Sequence, residues 1–148
     1  MATLTTTVTE SVVLNGSNQG SSNTLSITGI NDVYKRIVSC PASATTTVLT
    51  FNDAVTGAAG AVDAQLSKYI RVTNLDSTNP VELAVVGAAT LYQVTLAAGH
   101  SHVLGSADDL MLAQADTSPS FGTMADIVTL QVNPAGNAVS VELFIASA

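Results

Sequence analysis

IVTLQVNPAGNAVSVELFI, residues 127–145, is the stretch that decides the fold class. Ile127–Val132 and Ala138–Ile145 are rich in β-branched residues, and the NPAGN between them is typical of a turn. From Val139 onward every second residue is apolar, the period of a strand that buries one face. The stretch therefore predicts two strands joined as a β-hairpin.

Comparable segments recur along the chain, separated by clusters of Gly, Asn, Asp, Ser or Pro. The other predicted strands are Thr3–Leu14, Leu25–Ile30, Val33–Cys40, Thr46–Asn52, Lys68–Asn74, Val81–Val86, Leu91–Leu96, Ser101–Leu104 and Leu110–Ala115. Helix signals are weak, and the best helical candidate is a turn or two near Ala58–Lys68. Short strands at this spacing predict an all-β, single-domain antiparallel β-sandwich, and their number favours a jelly roll.

Composition excludes several classes of partner. Only four of the 148 residues are Lys or Arg, and the net charge is −7, so nucleic acid and anionic membrane surfaces are not expected to bind. No apolar run approaches the roughly 20 residues of a membrane helix, and the N-terminus lacks the features of a signal peptide, so we expect a soluble protein made in the cytoplasm. With few charges and a mean hydropathy of +0.40, some apolar surface is expected to be buried between subunits.

The N-terminus has the pattern of a docking strand. Residues 1–14 are predicted to form a β-rich arm, residues 15–148 the sandwich, and Asn15–Asn23 a loop between them. Terminal segments become ordered by docking, and a strand docks by adding to a sheet edge. Leu4, Val8 and Val12 are therefore predicted interaction residues, with an intersubunit role favoured.

Candidate catalytic and metal-binding residues are few. His100 and His102 would lie on one face of a strand, a spacing that resembles the His-x-His of cupins, but Ser106 or Ala107 stands where the cupin glutamate would fall. Asp76, Asp108 and Asp109 are interpreted as turn formers, with weak calcium binding at a subunit junction as the alternative. We predict no catalytic residue, metal or cofactor.

Aromatic residues offer little for sugar binding. The chain has three Tyr, three Phe and no Trp, whereas sugar-binding sandwiches usually display aromatic platforms. Phe121, in the predicted loop Thr117–Asp126, and Phe144, on an outer strand face, are the predicted contact residues; ordinary packing is the alternative.

Three segments of the C-terminal half resemble the small virion proteins of tailed bacteriophages. They are Tyr69-Ile-Arg-Val-Thr-Asn74, Val81-Glu-Leu-Ala-Val85 and Val94-Thr-Leu-Ala-Ala-Gly99, in which a strand ending in Asn precedes a second strand and a Gly turn. The resemblance implies a capsid decoration (cement) protein, in that family often a jelly roll that sits as a trimer on the outer capsid.

On this resemblance the expected partners are the major capsid protein and further copies of the chain, as a homotrimer. The expected location is the outer capsid surface of the virion, after synthesis in the host cytoplasm. The alternatives are a tail or head–tail component, a receptor- or glycan-binding adhesion module, and a cupin-like metalloenzyme.

Overall fold

The computed structural model describes residues 1–52, 61–108, 110–111 and 122–148, and within these the chain is built of strands without a helix. The strands are β1 (Ala2–Thr9), β2 (Val13–Leu14), β3 (Ser17–Asn18), β4 (Ser22–Ile30), β5 (Asp32–Cys40), β6 (Thr46–Asn52), β7 (Val62–Asp63), β8 (Ser67–Asn74), β9 (Val81–Gly87), β10 (Leu91–Leu96), β11 (Ser101–Leu104), β12 (Ile127–Asn133) and β13 (Val139–Ser147).

Two antiparallel sheets pack face to face. One has the order β10-β9-β12-β6, with the short β7 pairing in parallel at its edge; the other has the order β11-β8-β13-β5. The last two strands insert between earlier ones, β12 between β6 and β9 and β13 between β5 and β8, which is the strand order of a jelly roll. The predicted all-β sandwich is confirmed.

The predicted hairpin over residues 127–145 is wrong in its pairing, although both strands exist. β12 pairs with β6 and β9, whereas β13 pairs with β5 and β8, so residues 134–138 cross from one sheet to the other. Alternation requires only that the apolar side chains face a core. Two consecutive strands can bury their apolar side chains in the same core when they lie in opposite sheets as well as when they pair in one sheet.

The core lies between the sheets, where alternate residues of each strand point inward. The largest fully buried side chains are Ile70, Leu83, Ile127, Leu130, Leu143, Ile145, Val72, Val81, Val85, Val132, Val139 and Val141. This single cluster includes Cys40, whose thiol has its pKa raised by burial. The sandwich is thus held by the period-two pattern from which its strands were predicted.

A buried amide ties two inter-sheet connections together. The Asn74 side chain is inaccessible, and its Nδ2 donates to the carbonyl oxygens of Asn79 at 2.9 Å, Leu96 at 3.1 Å and Ala97 at 3.2 Å. Its Oδ1 accepts from the backbone N–H of Asp76 at 2.9 Å. The turn after β8 is thereby fastened to the end of β10.

Other expectations need correction. Residues 61–68 contain β7 and a turn rather than the helical turn expected near Ala58–Lys68, and residues 53–60 lie outside the described part. Of the strand expected at Leu110–Ala115, the structure describes Leu110 and Met111, and Met111 forms an isolated bridge with Ala125. In the expected loop Thr117–Asp126, residues 117–121 lie outside the described part.

The arm differs from the expectation in extent. The predicted strand Thr3–Leu14 ends at Thr9, and β1 pairs along its whole length with β4, so the arm reaches to Ile30 rather than to residue 14. Part of the expected loop Asn15–Asn23 is strand as well, because β3 and the start of β4 fall within it. We call residues 2–30 the N-terminal hairpin.

Candidate functional site

The N-terminal hairpin is one continuous antiparallel ribbon with a regular lower part. β1 and β4 pair from Ala2↔Ile30 to Thr9↔Ser22. Because side chains alternate, one face carries Leu4, Thr6 and Val8 opposite Ile27, Leu25 and Asn23. This gives the ribbon a partly apolar face.

The opposite face of the ribbon consists entirely of hydroxyl side chains. Its residues are Thr3, Thr5, Thr7, Thr9, Ser22, Thr24, Ser26 and Thr28. Cross-strand pairs hydrogen-bond, with 3.1 Å between the Oγ1 atoms of Thr7 and Thr24 and 3.0 Å between Thr9 Oγ1 and Ser22 Oγ. This hydroxyl face supports the ribbon by cross-strand pairing without adding charge.

The tip of the hairpin is a two-residue turn. Asn15 and Gly16 have φ of 52° and 79°, the conformation that Asn-Gly supplies in a type I′ hairpin, and β2 and β3 pair on either side. Between tip and lower part, Glu10 N–H donates to Ser21 O at 2.8 Å and Gln19 N–H to Val12 O at 2.9 Å. Gly20 lies so close to the Glu10 carbonyl that a Cβ there would clash with it.

The lower end of the hairpin packs on the outer face of the four-stranded sheet. Ile30 is buried with Tyr69 and Ala146, and Leu4, Ile27 and Phe144 pack against them. The Phe144 ring meets Tyr69 edge to face at a centroid distance of 6.1 Å, and the Arg71 guanidinium lies 5.8 Å from its centroid. These contacts anchor the hairpin to the sandwich.

Beyond this anchor the hairpin exposes apolar side chains. Val8, Val12, Val13, Leu14 and Leu25 are 53–70% exposed, and we call them the exposed apolar set. Glu10 is the single charged side chain among residues 2–30. A ribbon with one charge and five exposed aliphatic side chains is poorly matched to water, which is the usual mark of an interaction surface.

Charged side chains cluster instead on the outer face of the four-stranded sheet. Glu142 accepts from Arg71 at 2.6 Å and lies 3.3 Å from Lys35 Nζ. Burial alone would raise the pKa of Glu142, but hydrogen bonds and charge from Lys35 and Arg71 together hold it below its ordinary value. Arg71 also donates to Thr73 Oγ1 at 2.8 Å within its own strand. The contacts of Glu142 with Lys35 and Arg71 connect three strands, β5, β13 and β8.

The two histidines belong to the opposite edge of the sandwich. His102 Nε2 and Tyr92 OH are 3.0 Å apart, and burial lowers the pKa of His102 and raises that of Tyr92. His100 is exposed in the turn before β11, and its carbonyl accepts from Asn74 N–H. Among the described residues no three His, Cys, Asp or Glu side chains cluster as metal ligands.

Asp76 has the contacts of a turn former. Its Oδ1 accepts from the backbone N–H groups of Thr78 and Asn79, each at 2.7 Å. The Asn79 and Thr78 backbone hydrogen bonds lower its pKa. This is the local arrangement by which Asp side chains stabilise turns.

One recess on the outer face of the five-stranded sheet is polar. It has a volume of about 90 Å³ and lies between Glu82, Gln93, Gln131 and Asn133. No aromatic side chain lines it. A membrane-crossing helix is absent from the residues that the structure describes.

The predicted interaction residues have different environments. Val8 and Val12 are exposed on the hairpin, whereas Leu4 and Phe144 are partly buried at its anchor. Phe121 lies outside the described residues. Val13, Leu14 and Leu25 were not predicted as interaction residues, although an Asn-Gly pair after an alternating segment is a strong hairpin signal.

Comparisons with known proteins give little. No family model and no curated protein matches the chain. Among solved structures it is similar to a chain described under "Bacillus endospore appendages form a novel family of disulfide-linked pili", with 13% identity, a TM-score of 0.44, and coverage of 79% of this chain and 87% of that chain. A likeness at this level carries no argument about function.

Proposed function

We propose that the chain is a structural virion protein that decorates the capsid and stabilises the shell by binding across major capsid subunits. The observation that carries this proposal is the N-terminal hairpin, which extends beyond its anchor with the exposed apolar set and one charge. The capsid as partner comes from the resemblance of the C-terminal half to phage virion proteins.

The dimensions of the hairpin suit a clamp. From Leu4 to Asn15 the ribbon spans about 35 Å at 3.2–3.4 Å per residue. That is more than twice the radius of gyration, about 13 Å, of a 100-residue domain. The exposed apolar set can therefore reach a neighbouring subunit while the sandwich stays on its own site.

The energetics favour adhesion through several modest contacts. Complete burial of a Val or Leu side chain is worth about 1.5–3 kcal/mol, so burying the five half-exposed side chains would contribute about 5 kcal/mol before ordering costs. One such contact is weak, but an oligomer that engages several sites at once binds much more firmly.

The test uses shells from which the protein has been removed. In the first variant, which we call the stripe variant, three side chains of the exposed apolar set are each changed to Ser: Val8, Val13 and Leu14. Binding to the shells is measured by co-sedimentation. We expect affinity to fall at least tenfold, the equivalent of about 1.4 kcal/mol. The matched control changes Thr5, Thr7 and Thr24 to Ser, which preserves the hydroxyl face.

The outcomes are decisive. If the stripe variant folds and binds shells as tightly as the control, the hairpin does not mediate decoration. Wild-type protein that fails to bind shells, or that occurs at only a few copies per purified particle, would favour a tail or head–tail component. Removing residues 2–14 alone is a poorer experiment, because it leaves β4 without its partner.

A further inference from the structure

The polar recess on the five-stranded sheet lies over a small side chain. Ala84 of β9 pairs with Gln131 of β12 on one side and with Gln93 of β10 on the other, so all three side chains project from the same outer face. Because the side chain of Ala84 is a single methyl group, a depression remains between the two longer amide side chains. The recess is therefore built by the register of three strands.

A neighbouring row of the sheet adds oxygen acceptors to the recess. Asn133 of β12 pairs with Glu82 of β9, and both line the recess. Asn133 Oδ1 is buried and has no hydrogen-bond partner among the described residues. Gln131 Nε2 donates to Thr129 Oγ1 at 3.4 Å, which leaves the Gln131 Oε1 as a further acceptor. Buried polar atoms of folded proteins are nearly always hydrogen-bonded, so a donor is expected at the Asn133 oxygen.

Glu82 gives the recess a negative charge that its own sheet does not neutralise. All four Lys and Arg residues of the chain lie on β5 and β8, so the strands of the five-stranded sheet carry none. Lys35 and Arg71 are paired with Glu142 on the other sheet. Within the described part of the chain, Glu82 forms no ion pair. Its carboxylate is therefore available to a cation from outside.

A mainly apolar hollow adjoins the polar recess across Glu82. It has a volume of about 80 Å³, and besides Glu82 its lining residues are Pro80, Val81, Thr95 and Ala135. A ligand that spans the hollow and the recess would place an apolar stem in the first and a hydrogen-bond donor in the second.

We propose that the recess and the hollow together bind an organic cation, an ammonium or guanidinium group on a short alkyl stem. Both head groups carry several N–H donors and no acceptor, which suits the oxygens of Glu82, Asn133 and Gln131. Hydrogen bonds to a charged partner are also stronger than those between neutral groups. Calcium suits the recess less well, because it takes about six to eight oxygen ligands and the recess offers a single carboxylate.

This site goes beyond the proposed function and does not depend on it. The recess lies on the outer face of the five-stranded sheet, whereas the N-terminal hairpin is anchored on the outer face of the other sheet. Loss of cation binding would therefore leave decoration untouched, and failure of decoration would leave the cation site untouched.

Titration of the whole chain with butylammonium and with butylguanidinium tests the site, with NMR spectra of the backbone and side-chain amides as the measurement. We expect saturable shifts of the side-chain amide signals of Gln93, Gln131 and Asn133, with a dissociation constant of about 1 mM. Added salt should weaken the binding, because the recess is open to solvent. The control ligand is n-butanol, which has the same stem and no charge and should bind at least about tenfold more weakly.

The source of the cation is distinguished with blocked amino acids. N-acetyl-lysine amide and N-acetyl-arginine amide present the same head groups as they occur in a protein. If they bind as tightly as the free amines, the site accepts a Lys or Arg side chain of a partner. If only the free amines bind, the site takes a small-molecule amine.

Two variants test the site in different ways. Glu82→Gln removes the charge and should weaken cation binding at least about tenfold, whereas Glu10→Gln makes the same change in net charge on the hairpin and should leave binding unchanged. Ala84→Val fills the recess with a side chain that favours strands, so binding should be lost although the charge remains. Circular dichroism and thermal transitions verify that each variant is folded.

The proposal is overturned if butylammonium and butylguanidinium shift the three amide signals no more than butanol does. It is also overturned if folded Glu82→Gln and Ala84→Val proteins bind the cations as tightly as the wild type. In either case an ordered water molecule is the only partner of the Asn133 oxygen.

Discussion

Asn74 provides the sharpest test of how the sandwich is held together. Asn74→Ala removes the side-chain amide. Its Nδ2 donates to the carbonyl oxygens of Leu96, Ala97 and Asn79, and its Oδ1 accepts from the backbone N–H of Asp76. The bond to Leu96 is fully buried, and the remaining three are partly buried. An unsatisfied buried group costs about 1–3 kcal/mol, so we expect a loss of about 2–4 kcal/mol in the free energy of unfolding.

Urea denaturation at pH 7 measures the loss in the free energy of unfolding. In thermal unfolding, a domain of this size should lose roughly 2–4 °C in Tm for each kcal/mol. Asn74→Asp is a companion variant that keeps one acceptor but cannot donate, so it should be at least as destabilising. Asn79→Ala is the matched control, because its side-chain bonds are exposed or partly exposed. A folded Asn74→Ala protein that loses less than about 1 kcal/mol would refute this account, because surface changes usually stay within about 0.5 kcal/mol.

Three further predictions follow from other contacts. Because the pKa of Glu142 is held low, its contribution to stability is present above the ordinary carboxyl pKa and is lost as pH falls through the lower folded value. Glu142→Gln should therefore make the free energy of unfolding less dependent on pH in that acid range. Denaturation at a series of pH values measures this dependence. Gly20→Ala should loosen the hairpin, so amide hydrogen exchange should rise there while Tm changes little, whereas Gly136→Ala, with open space around it, should not have this effect. NMR titration should find the pKa of His102 below its ordinary value, and folded stability should weaken as pH falls from that ordinary value toward the lower one; a normal titration would contradict the burial argument.

Local pattern determined much of the sandwich in advance. Thr46–Asn52, Leu91–Leu96 and Ser101–Leu104 are strands at the predicted limits, because β-branched content and period-two alternation act within a few residues. The alternation from Val139 also identified which side chains enter the core. These features depend on the sequence of a single strand and on the turns that bound it.

Partners of each strand were decided only by the tertiary structure. Alternation in β12 and β13 requires a core on one side, but it does not say whether the neighbour lies in the same sheet or the opposite one. For the same reason the N-terminal strand was predicted to dock on a sheet edge, with an intersubunit role favoured, whereas β1 pairs with β4 of its own chain. Phe144 points outward from its strand, where Tyr69, Arg71 and the anchored end of the hairpin cover it. Backbone hydrogen bonds are common to all residues, so a strand's own sequence specifies its faces more strongly than its edges.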